Sequence, residues 1–205
     1  MPNLTLPLFP LATVLFPDGV LPLHVFEVRY LQMVRHCIAA GTPFGVVLLT
    51  AGTEVRTPEG QERFAGAGTL AHVAQTLGAS PGLLKVSCRG GQRFRIAASE
   101  RRANGLWMAE IEMVEPDRVL AVPAELQGAA DALARVLETV AREPEERRPV
   151  LPPLRLDDCG WVANRWCDLL PLALPQKQNL LMLDNPMIRL ELLHDVLDEH
   201  GLITS

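Results

Sequence analysis

The sequence predicts an α+β protein: a β-rich barrel with one inserted helix over residues 1–122, then a helical bundle over residues 123–205. Three observations carry that prediction. Short runs rich in β-branched residues, separated by glycine turns, fill the first part. Near Val122 the hydrophobic period lengthens from two residues to about 3.6. The charge changes as well: residues 1–122 hold 11 basic and 10 acidic side chains, for +1, whereas residues 123–205 hold 8 and 14, for −6.

The opening run is proline-stiffened. Pro7, Pro10, Pro17 and Pro22 hold the backbone extended and remove amide donors, which suits a sheet edge or a strand-to-turn path. Leu6, Leu8, Phe9 and Phe16 are its anchors, and Asp18-Gly19 supplies a tight turn. A helix is expected from Glu27 to Ala40, burying Tyr30, Met33, Val34, Cys37 and Ile38, with Gly41 as a left-handed stop. Glu27 and Arg29 are too close in sequence to pair on one helix face, so Arg29 is expected to reach a carbonyl or carboxylate of the barrel. Strands are expected at Phe44–Thr50, Gly68–Ala74, Leu83–Cys88, Gln92–Ile96 and Trp107–Val114, with turns at Gly78 and at Ser80-Pro81-Gly82.

Beyond Val122, the residues Leu126, Ala130, Leu133, Val136, Leu137 and Val140 form one helical stripe that starts after Pro123. Arg142 to Pro153 is charged and proline-rich, as a solvated connection would be. A helix from Asp157-Asp158 to about Leu170 buries Trp161, Val162 and Trp166, and another runs from Pro175 to Leu183. The last starts at the Asn185-Pro186 cap, buries Ile188, Leu192, Leu193, Val196 and Leu197, and ends at Gly201. Helices this short are marginal alone in water, so they must pack together or onto the sheet.

Composition narrows the function. Apolar residues make up 48% and charged residues 21% of the 205, an ordinary globular balance. No apolar run approaches the ~20 residues of a membrane span. The start Met1-Pro2-Asn3 lacks the positive run of a secretory signal, so a bacterial-type cytoplasm is the expected compartment. Cys37, Cys88, Cys159 and Cys167 form no CxxC pair and are expected as reduced, mostly buried thiols; no metal or other cofactor is expected. The net charge of −5 argues against strong non-specific nucleic-acid binding.

The strongest signal is a set of motifs in order. Leu6-Pro-Leu-Phe-Pro-Leu11, Val14-Leu-Phe-Pro-Asp-Gly19 and Leu21-Pro-Leu-His-Val-Phe-Glu-Val-Arg-Tyr30 resemble the start of the Lon protease N-terminal domain family, which is also represented in cereblon-like proteins and in bacterial stand-alone copies. Phe44-Gly-Val-Val47, Gly68-Thr-Leu-Ala71, a turn and strand over Gly90–Ile96, Leu169-Leu-Pro-Leu172 and Gln176-Lys-Gln178 follow in the family's order, so the resemblance covers nearly the whole chain. It implies a six-stranded PUA-like pseudo-barrel followed by a helical bundle. It also implies a module that recognises polypeptide substrates for a protease or ligase partner.

Catalytic signals are weak. No G-x-x-x-x-G-K-[ST] loop is present, Ala65-Gly-Ala-Gly68 lacks the lysine, and neither Lys85 nor Lys177 sits in a nucleophile-like context. The chain is thus expected to be a free-standing, non-catalytic module. His24 could act as an acid or base, although a histidine in an apolar run is more often structural. His36 and Cys37 are adjacent, and adjacent helix residues point apart.

Two candidate binding surfaces emerge. Trp161, Arg165 and Trp166 form one candidate, with Arg165 four residues after Trp161 on the same helix face; exposed at a groove they would hold an extended polypeptide, and buried they are bundle core with a snorkelling arginine. The alternative is RNA binding through Lys85, Arg89, Arg93, Arg95, Arg101 and Arg102, although no aromatic ladder interleaves them and a solvated strand face is the simpler explanation. Client or unfolded polypeptides are the expected partners, held in an apolar groove between barrel and bundle with help from a sheet edge; a hydrolase is the third reading.

Overall fold

The computed structural model describes residues 4–52, 62–144 and 148–203. Met1-Pro2-Asn3 and the middle of the 142–153 connection, residues 145–147, lie outside them. The chain divides into two compact units, residues 1–115 and 116–205.

The first unit holds six strands and one helix: β1 (Leu4–Leu11), β2 (Val20–Val25), α1 (Val28–Ala40), β3 (Phe44–Ala51), β4 (Arg63–Ser80), β5 (Leu83–Arg101) and β6 (Trp107–Met113). The order is β2-β5-β4-β3-β1-β6, and a further β5–β6 pairing closes β1, β3, β4, β5 and β6 into a ring. β1 and β3 run parallel, and every other pairing is antiparallel. One long strand makes the closure possible. β5 pairs with β2 through residues 84–89 and with β6 through residues 94–101, so two strands share one of its edges. The α+β pseudo-barrel with an inserted helix is the architecture the sequence implied.

The strands outrun their expected lengths. The expected pieces at 83–88 and 92–96 are one strand, and Gly78 and Gly90 lie inside strands instead of turns. Gly90 is there for space. A Cβ on it would meet the Phe16 carbonyl oxygen at 2.0 Å, because the Val14–Gly19 segment crosses directly over it. The Asp18 amide donates to Gly90 O and the Gly90 amide to Gly19 O, each at 2.8 Å. Thr69 Oγ1 donates to Leu15 O at 2.6 Å. Asp18 takes the left-handed conformation, φ 62°, in the expected tight turn.

The prolines of β1 have a topological explanation. β1 pairs with β6 through residues 4–8 and with β3 through residues 8–11. Pro7 and Pro10 therefore each sit where the strand has a partner on one side only, and the missing amide need not break a ladder. Leu8, registered with both neighbours, is fully buried.

α1 ends as expected at Gly41, φ 63°, with the Thr42 amide donating to Cys37 O at 3.1 Å. Leu31 is buried and Ile38 is 41% exposed, so the buried stripe is turned slightly from the expected one. Arg29 reaches Gly105 O at 2.8 Å and Glu62 Oε1 at 2.9 Å, the carbonyl and carboxylate anticipated. Its Nε also donates to Glu27 Oε2 at 3.1 Å, contrary to expectation. The pair forms because Glu27 is the extended residue before the helix, φ −71° and ψ 134°, and is not bound by helix-face spacing.

In the second unit, a 3₁₀ turn (Ala124–Leu126) precedes α2 (Gln127–Val140), α3 (Cys159–Leu169), α4 (Leu174–Met182) and α5 (Pro186–Glu199). Asp158 caps α3 by accepting from the Gly160 amide, and Asn185 caps α5 by accepting from Met187 and Ile188. The α5 stripe needs correction. Leu190, Leu193 and Leu197 are buried with Arg189, whereas Ile188 and Leu192 are 43% and 49% exposed. Arg189 turns inward because Asp117 at 2.6 Å, Asn164 at 3.0 Å and the Leu180 and Leu183 carbonyls accept its donors. Among the described residues no helix is long and apolar enough to cross a membrane.

Candidate functional site: an open strand edge beside an apolar cleft

Strand order leaves β2 at the end of the sheet, with β5 on one side and no strand on the other among the described residues. The ladder phase shows what that free side offers. The Gly90–Gly19 bond fixes residues 19, 21, 23 and 25 toward β5, because hydrogen-bonded and non-bonded pairs alternate in antiparallel strands. Val20, Pro22 and His24 therefore turn their main-chain groups outward. Pro22 loses nothing toward β5, and on the free side it presents a carbonyl alone.

A cleft of about 410 Å³ lies along this strand, lined by residues that include Phe9, Leu11, Leu21, Leu23, Phe26 and Tyr30. Its floor is core: Phe9 and Tyr30 stack with ring centroids 4.0 Å apart, and the Arg29 guanidinium lies 4.5 Å from the Tyr30 ring. Burial pushes the Tyr30 hydroxyl well above its ordinary range, so it stays a neutral donor. The rim is different. Phe26 in its lining is 55% exposed, and Val28, just beyond the lining, is 68% exposed, so apolar surface is left in water where β2 turns into α1. Glu27 between them is tied to Arg29.

Arg29, Glu62 and the 102–107 region hold this corner together. Glu62 accepts from Arg29 and, at 2.7 Å, from Trp107 Nε1. Burial by itself would raise the Glu62 carboxyl. The Arg29 and Trp107 hydrogen bonds and the nearby guanidinium charges outweigh it and hold the group below its ordinary range.

The residues singled out from the sequence lie elsewhere. Trp161, Arg165 and Trp166 are 3%, 0% and 3% exposed and pack the interior of the helical unit. Trp166 Nε1 donates to Ala129 O at 3.0 Å, and Arg165 pairs with Asp168 at 3.0 Å. So placed, they present almost no surface to a peptide. The basic stretch is divided along β5. Lys85 and Arg95 are exposed, Arg89 pairs with Asp18 at 2.8 Å, and Arg93 is 3% exposed and offers no solvent face to a phosphate. Arg101 lies over Trp107 and 3.8 Å from Glu62, and Arg102 is exposed. His24 is exposed on β2, not buried as a structural histidine would be; Cys37 is buried while His36 is exposed. Among the described residues no cluster of three or more His, Cys, Asp or Glu could hold a metal ion.

Sequence reasoning missed Phe26 and Val28. One signal was present: Pro22 inside an apolar run marks an edge strand, and the residues just after an edge strand are candidates for exposure.

Comparison with known proteins agrees with this architecture. The family model of the ATP-dependent protease La (Lon) substrate-binding domain matches residues 5–199. Lon protease 2 of Herpetosiphon aurantiacus is 28% identical over 203 residues, which cover 96% of this chain and 24% of that protein. Lon protease 1 of Myxococcus xanthus is 29% identical over 208 residues, 95% of this chain and 24% of that protein. The chain thus spans about a quarter of the length of these curated relatives. A Lon N-terminal domain protein from Xanthomonas campestris, solved by crystallography, is 35% identical with a TM-score of 0.71, covering 93% of this chain and 96% of that one. The N-terminal domain of the Mycobacterium avium complex Lon protease, 18% identical with a TM-score of 0.61 over 96% of this chain and all of that one, shares the fold. The chain belongs to the ATP-dependent protease La (Lon) substrate-binding domain family.

Proposed function

We propose that the chain is a non-catalytic polypeptide-binding module that takes an extended segment of a client protein onto β2 and presents it to a partner such as a protease. The observation that carries this is the open β2 edge beside the apolar cleft, with Phe26 exposed in its lining and Val28 exposed two residues further on. An edge strand supplies main-chain hydrogen bonds that any sequence can use, while the cleft selects for apolar side chains at alternate positions. That division suits recognition of many clients, which share extended backbone and exposed apolar residues but no sequence. The family's substrate-binding name and the match over residues 5–199 support the same reading.

The test is fluorescence anisotropy with a labelled, unstructured peptide of alternating apolar and polar residues. The wild-type chain is expected to bind saturably, and the double variant Phe26→Asp/Val28→Asp to bind at least about tenfold more weakly, a change of about 1.4 kcal/mol. Equal affinity for both proteins, or no saturable binding, would remove the proposal. Both side chains are largely in water, so the variant should retain its circular dichroism spectrum and thermal midpoint.

A further inference from the structure

A second cleft, of about 500 Å³, opens at the other end of β1, between its first residues, α1 and the start of β6. It lies where the barrel interior divides. Met33 and Leu106 belong to one hydrophobic cluster and Leu6 to another, and Met108 packs against the first. All four line the cleft, so its floor is the seam between two pieces of core.

Its fixed charge is one-sided. Arg102 and the His36 ring line it, and among the described residues no Asp or Glu does. Both are exposed, and among the described residues neither side chain has a hydrogen bond or ion pair. A guanidinium stays charged at every physiological pH, so an apolar hollow with an unmatched arginine is complementary to an apolar body carrying one negative group. The volume lies within the range of roughly 300–1,000 Å³ typical of small-ligand sites. A peptide is a poorer occupant. Its amides would lose water over a floor of Leu and Met, with only the Thr5 and Thr42 hydroxyls among the lining side chains to meet them besides Arg102 and His36.

We propose that this cleft binds medium-chain carboxylates, with the alkyl chain over Leu6, Met33, Leu106 and Met108 and the carboxylate on Arg102. The site is separate from the β2 edge, so an occupied cleft would give a small amphiphile a place on the same barrel that holds a client.

Isothermal titration calorimetry below the micelle-forming concentration tests it with octanoate, decanoate, decanol and decylammonium. Decanoate is expected to bind saturably, with affinity rising about fourfold per methylene from octanoate. Arg102→Gln should weaken decanoate at least tenfold and leave decanol unchanged. Phe26→Asp/Val28→Asp should leave decanoate unchanged. The proposal is overturned if decanoate shows no saturable binding, if decylammonium binds as tightly, if Arg102→Gln binds decanoate like the wild type, or if the Phe26/Val28 variant is the one that loses it.

Discussion

Arg29 is 5% exposed, and each branch of its guanidinium meets an acceptor: Glu27, Glu62 and the Gly105 carbonyl. A buried arginine is tolerated on those terms, and removing one partner leaves charge uncompensated. Glu62→Gln is therefore expected to destabilise the barrel unit by about 2–4 kcal/mol, below the usual cost of breaking a buried pair completely because Glu27 and Gly105 remain. The pH dependence has a definite sign. Glu62 ionises below its ordinary value of 4.5 in the folded protein, so its contribution is present above about pH 4.5 and fades as the pH falls through the folded value. Chemical denaturation across pH 3–7 should show that acid loss in the wild type and a flatter profile in Glu62→Gln; parallel profiles would contradict the network. Of this cluster the sequence revealed only that Arg29 must reach into the barrel. Its partners Glu62 and Gly105 lie 33 and 76 residues away, a distance no local pattern spans.

At the scale of elements, periodicity predicted what periodicity controls. α1, α2, the caps Asp158 and Asn185, and strands β3 and β6 all fall within a few residues of expectation. What failed was anything set by a distant neighbour. Gly90 reads locally as a turn, but it is a crossing point for Phe16. Arg189 has no place in the expected α5 stripe, but Asp117, 72 residues earlier, draws it inward and rotates the stripe. Gly90→Ala is a direct check. With a Cβ only 2.0 Å from a carbonyl oxygen, backbone must move, and a loss of at least about 2 kcal/mol is expected. Gly78, whose Cβ would meet nothing within 4 Å, is the control, and Gly78→Ala should stay within about 1 kcal/mol of the wild type. Equal effects would show that the Val14–Gly19 segment does not lie where described.

For the whole molecule, the segment after β6 belongs structurally to the helices. The Cys159 amide donates to Leu120 O, the Val122 amide to Asp157 O, and Arg189 holds Asp117. A fragment of residues 116–205 is therefore expected to melt cooperatively, and one of residues 123–205 to be less stable by about 3 kcal/mol or more, because Arg189 loses its carboxylate. Identical melting would contradict this assignment of the segment. The candidate site was only partly legible for the same reason the strands were. Pro22 announced an edge, but which strand stays unpaired depends on the strand order, and the conspicuous Trp161, Arg165 and Trp166 turned out to be core.

The account rests on β2 accepting a client strand, and amide hydrogen exchange reads that event residue by residue. With saturating client peptide, the Val20 and His24 amides, the two outward donors of β2, should exchange at least tenfold more slowly, while Leu21 and Leu23, already turned toward β5, change little. Saturable binding that leaves Val20 and His24 unprotected, or that protects a different strand, would contradict it.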